Sequence, residues 1–151
     1  MARGRCVFIC SNRQTDGEQN EVKIMTKIFE SSIIIHTVPF AKTIIDDKDN
    51  TVIVEFDDID ERRRRLCFSP YQAIRIVTAD CADYDFIPDD IPIGEYKSYI
   101  REVRDSKWIR ELKNELQARD PHATFLDNAR HFIFDMGESV LEVVATKVEF
   151  I

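Results

Sequence analysis

Cys67 lies two residues from Arg65 in the stretch RRRRLCF, and His131 stands in RHFIF near the C-terminus. In an extended segment Arg65 and Cys67 project from the same face, and a guanidinium beside a thiol favours the thiolate, the form that attacks. With His131 as general base, these three residues are the candidate catalytic set, provided the fold brings distant positions together. No motif supplies an oxyanion site to accompany them. The plainer reading of Cys67 is a small buried or rim residue, since free cysteines behave mostly as small hydrophobes.

The run Arg62, Arg63, Arg64, Arg65 is the strongest local charge signal, and it suggests phosphate binding until its neighbours are counted. Between Glu55 and Arg65 the four arginines meet five acids, Glu55, Asp57, Asp58, Asp60 and Glu61, which leaves a local charge of −1. A surface that tracks a phosphate backbone needs the opposite excess. Over the whole chain 21 Lys and Arg stand against 28 Asp and Glu, for a net charge of −7 and a pI near 5.0. That field repels nucleic acid and anionic membranes, and it favours cationic partners. The acid-rich stretch from Asp80 to Gly94 is therefore the candidate binding surface, with Asp80, Asp83, Asp85, Asp89 and Asp90 meeting a protein partner that is itself basic. Asp46, Asp47 and Asp49 could add to it.

Metal and cofactor chemistry find little purchase. Cys6 and Cys10 are too widely spaced for a C-x2-C pair, Cys67 and Cys81 are isolated, and His36, His122 and His131 follow no zinc spacing. The aspartates after Asp80 lack the D-x-D-x-D-G alternation of a calcium loop. With 4 glycines in the chain, no phosphate-cradling loop, dinucleotide fingerprint or nucleophile elbow is present. No metal and no cofactor are expected.

These residues need elements to hold them. At 151 residues, 44% hydrophobic and 32% charged, the chain has the size and composition of a single folded domain spanning 1–151. The apolar run Cys6 to Cys10 is too short for a secretory signal, and no stretch approaches a membrane span, so a cytoplasmic location with reduced thiols is expected. RCVFIC reads as a first strand. EVKIMTKIFESS reads as a short helix on the spacing of Val22, Met25, Ile28 and Phe29, although Val22, Ile24 and Ile28 also fit a two-residue period. SIIIHTV and FAKTIID are β-rich around Pro39, and DKDN turns the chain into TVIVEF as a hairpin. RLCF and YQAIRIVTA follow as strands either side of Ser69-Pro70, with Pro70 placed at a strand start or an edge.

Beyond the acidic stretch, EYKSYIREV fits a strand or a helical turn equally. SKWIRELKNELQARD is the clearest helix, capped by Ser106, with Trp108, Ile109, Leu112 and Leu116 as its apolar stripe and Asp120-Pro121 as its end. RHFIFDMGESVLEVVATKVEFI is a strand pair around Gly137, its first strand apolar on both faces and so interior to a sheet. The expected class is α+β: a mainly antiparallel β-sheet with one or two helices packed on one face.

The order AIRIVTADC, REVRDSKWIREL, RHFIFDMGESVLEVVATKVEFI resembles a group of small bacterial proteins in which a capped V-x-x-S-x-W/Y-L/I helix start precedes a terminal strand hairpin. Proteins of this kind are regarded as including immunity partners of secreted toxins. The resemblance implies binding rather than catalysis and carries no site residues with it.

Overall fold

The computed structural model describes residues 24–36, 40–82 and 97–151. It is α+β. A seven-stranded antiparallel sheet is built from β1 (Thr26–Ile28), β3 (Ala41–Asp46), β4 (Thr51–Asp57), β5 (Arg63–Thr78), β7 (Arg101–Val103), β8 (Arg130–Asp135) and β9 (Ser139–Phe150), in the order β1-β7-β8-β9-β5-β4-β3. A second, two-stranded sheet pairs β2 (Ile34–Ile35) with β6 (Ser98–Tyr99). The helix among the described residues, α1 (Lys107–Arg119), connects β7 to β8.

The DKDN turn closes the β3–β4 hairpin, with Asn50 at φ 54°, a left-handed conformation that asparagine tolerates better than most residues. β4 alternates between half-buried and buried, so Val52, Val54 and Phe56 point into the core. They join Leu66 and Phe68 of β5, Phe132 and Phe134 of β8, and Leu141, Val143 and Ala145 of β9 in one cluster, which Ile33, Ile35 and Ile100 complete. Phe132 is its hub: its ring lies 5.4 Å from Phe29 and 5.3 Å from Phe68, with the Arg130 guanidinium 4.9 Å from the ring centre. Arg130 is held there by a two-pronged hydrogen bond to Glu102, at 2.9 and 2.7 Å.

Three expectations change. The segment read as a short helix contributes β1, whose residues 26–28 pair with Val103, Glu102 and Arg101 of β7. The two-residue period prevails there because the edge of β7 offers ladder bonds and Phe29 packs on Phe132, whereas the helical pattern had only weak local preference behind it. The strand and turn readings of 95–103 resolve, over residues 98–103, as β6 and β7. RLCF and YQAIRIVTA are one strand, β5, which passes through a cis Ser69-Pro70 peptide and a register shift between Tyr71 and Ala73. Pro70 is thus in a central strand, but it lies past Phe68, the last β5 residue paired with β4, where no ladder donor is needed on that side. The strand expected at Cys6 to Cys10 lies outside the described residues.

Candidate functional site

The site is built where the helix begins. After β7 the chain turns through Arg104 and Asp105, the latter at φ 49°, and reaches Ser106, whose hydroxyl oxygen accepts the Ile109 amide at 3.2 Å as the helix N-cap. Ser106 is buried, as are His131 of β8 and Glu142 of β9. The register sets Glu142 between Arg75 of β5 on one side and Ile133 on the other, and sets His131 between Val103 and Val144.

Four polar side chains therefore meet in a line. Ser106 Oγ is 2.8 Å from His131 Nδ1, His131 Nε2 is 3.2 Å from Glu142 Oε1, and Arg75 Nε donates to Glu142 Oε2. Burial alone would raise the Glu142 pKa, but hydrogen bonds from His131 and Arg75, with the positive charges of Arg75 and of a protonated His131, outweigh it and hold the carboxyl at about 2. The same contact pushes the Arg75 pKa up. An ionised carboxylate only accepts, so the Glu142 contact calls for a hydrogen on His131 Nε2; with Nδ1 bare, that nitrogen would accept from the Ser106 hydroxyl. Trp108 lies beside the line, its ring 5.3 Å from His131 at 75° and 4.8 Å from the Arg75 guanidinium.

This line is the floor of a groove of about 1190 Å³. Ile24, Met25, Val77, Val103 and Trp108 supply apolar wall, while Arg104, Lys107, Arg110 and Lys113 place cations around it against the acids Asp105 and Glu111. Lys107 reaches Glu111 at 3.6 Å and Lys113 reaches Asp127 at 3.4 Å.

The sequence-derived catalytic set does not assemble. Cys67 pairs with Ile53 and Glu149, whereas His131 is opposite Val144, on the order of 15 Å further along β9 at about 3.3 Å per residue. Burial and the Glu149 charge raise the Cys67 pKa, and Arg65 lowers it too little to offset them. Arg65 is itself engaged with Glu55 at 3.0 Å. Its neighbours are likewise taken: Arg62 by Asp60 at 4.0 Å, Arg63 by Asp57 at 2.6 Å and Arg64 by Asp58 at 2.7 Å. The β4–β5 register explains this, because it puts Glu55 opposite Arg65 and Asp57 opposite Arg63. Asp80 is exposed in a 3₁₀ turn, Ala79–Cys81, at the root of the acidic stretch; Asp83, Asp85, Asp89 and Asp90 lie outside the described residues.

Sequence reading identified His131 as a base and Ser106 as a cap, but it did not join them. Arg75 and Glu142 went unnoticed, although each is a charge inside an apolar strand run, AIRIV and VLEVV; the register makes them partners, with Glu142 buried and Arg75 half-exposed. Among the described residues no three His, Cys, Asp or Glu side chains gather as a metal ion would require, and no helix is long and apolar enough to cross a membrane.

No family model matches the chain, and no curated protein matches it. Among solved structures, it is similar to the crystal structure of an uncharacterized protein from Neisseria gonorrhoeae, at 16% identity over 83% of this chain and 96% of that one, with a TM-score of 0.43.

Proposed function

We propose that the chain is a binding protein whose recognition site is the groove over Ser106, His131 and Glu142. The observation that carries this reading is the convergence of three buried polar side chains on the floor of a partly apolar groove of about 1190 Å³. Small-molecule sites of roughly 300–1,000 Å³ have that make-up, apolar walls with a few placed polar groups. The cations at the rim favour a ligand that combines an apolar body with a negative charge. Anilinonaphthalene sulfonate has both features, and Trp108, the chain's single tryptophan, reports its arrival by energy transfer. Saturable binding is the expected result, and the dye's own emission under direct excitation, which needs no tryptophan donor, should show it weakened in both Arg104→Glu and Trp108→Leu. Binding unchanged in both variants would place the dye elsewhere and remove the groove as the site.

The net charge of −7 favours a second reading, a protein that neutralises a basic partner in the manner of an immunity protein. The arginine run is matched by acids, so it does not offset the surplus of carboxylates, of which exposed Asp80 is one. Carboxylates steer a cationic partner through the long-range field. Association with a partner purified from the native cell should then slow about tenfold or more as salt rises through the physiological range. An on-rate insensitive to salt would exclude it.

A further inference from the structure

We propose that Ser106 is a nucleophile, activated by His131 and oriented through Glu142, that takes the acyl group of a carboxylic ester carrying a negative charge. This rests on the groove being the ligand site and goes beyond binding. A capping serine needs only a lone pair for the helix amide, and its hydroxyl hydrogen ordinarily goes to water. Here that hydrogen faces an imidazole nitrogen at 2.8 Å, and the far nitrogen is held at 3.2 Å by a carboxylate that Arg75 fixes in turn. Nucleophile, base and orienting acid stand in sequence, the arrangement that makes a hydroxyl reactive. Capping does not require it.

The electron count is consistent. Ser106 Oγ has two lone pairs; the Ile109 amide occupies one, and the other is available for attack. As Oγ bonds to the ester carbon, its proton passes to His131 Nδ1 and the carbonyl π pair moves onto oxygen. Collapse breaks the ester C–O bond, and the alcohol leaves with that proton. Water then attacks the acyl carbon, gives its proton to Nδ1, and Ser106 Oγ departs with it. Ester and water become acid and alcohol, with no further reactant. Of the first helix amides, Ile109 bonds Ser106 Oγ and Arg110 bonds the Ser106 carbonyl, so those of Lys107 and Trp108 are assigned as donors to the developing oxyanion. The negative substituent meets the cationic rim of Arg104, Lys107 and Arg110.

The test is active-site labelling of the full chain with a fluorophosphonate at neutral pH, read by peptide mass spectrometry. A single adduct at Ser106 is expected, absent in Ser106→Ala and formed about 10²-fold more slowly in His131→Gln. Because the alanine change also removes a cap, Ser106→Cys provides a second measure: its thiol should be alkylated by iodoacetamide faster than Cys67 or Cys81. Adducts spread over several serines, none at all on the folded chain, or labelling at an unchanged rate in His131→Gln would overturn the proposal. If the naphthalene dye still occupies the groove while Ser106 stays unlabelled, the groove reading stands and the nucleophile falls.

Discussion

Replacing Phe132 with alanine is expected to lower the free energy of unfolding by about 3–5 kcal/mol, the range for deleting a buried aromatic ring. Phe132 is fully buried and touches the rings of Phe29 and Phe68, so its loss opens a cavity between them. Domains of this size are stable by about 5–15 kcal/mol, which makes the change a large share of the total. Two further contacts raise the cost above simple transfer of the ring: the Arg130 guanidinium loses the ring face it covers, and β1 loses the anchor that Phe29 provides. Urea denaturation followed by circular dichroism measures the effect. A loss below about 1 kcal/mol would mean the cluster is loosely packed and Phe132 is not its hub.

Acid should remove about 3 kcal/mol of stability through Glu142 alone. Its pKa is about 2 in the fold against an ordinary 4.5, and each unit of difference corresponds to 1.36 kcal/mol. The sign follows from the direction of the shift. A depressed carboxyl contributes its full stability above the unfolded value, and loses it as pH falls from about 4.5 to about 2. Glu102, lowered chiefly by the Arg130 hydrogen bond, adds loss of the same sign. The Glu142→Gln variant isolates the first contribution: it should be less stable than the parent at neutral pH, and the gap should close as the parent is acidified through that window. Parallel stability curves for the two proteins down to about pH 2 would show that Glu142 is not ionised against His131 and Arg75.

The parts of the chain that could be read in advance are those whose signals are local. The β3–β4 hairpin follows from alternation on either side of DKDN, and helix α1 follows from Ser106 and the stripe of Trp108, Ile109, Leu112 and Leu116, which are half-buried. The interior place of β8 follows from RHFIF being apolar on both faces. The pairing of the arginine run follows from its acids, because a hairpin that brings residues 55 and 65 together must also bring 57 and 63 together. The helix expected before residue 32 failed because a three-residue strand has no pattern strong enough to declare itself, and only the free edge of β7 selects it.

The sequence by itself determined the α+β class, the capped helix, the first hairpin and the acidic balance, since each depends on neighbours in the chain or on composition alone. Tertiary structure decided that His131 meets Ser106 and Glu142 instead of Cys67. Ser106 and His131 are brought together by the β7–β8 register, and Glu142 is added by the β8–β9 register. A strand advances about 3.3 Å per residue, so one register step decides whether two side chains bond or lie beyond reach. That register is fixed by the Phe132 core on the opposite face of the sheet, and no periodicity in the chain encodes which hydroxyl the imidazole will find.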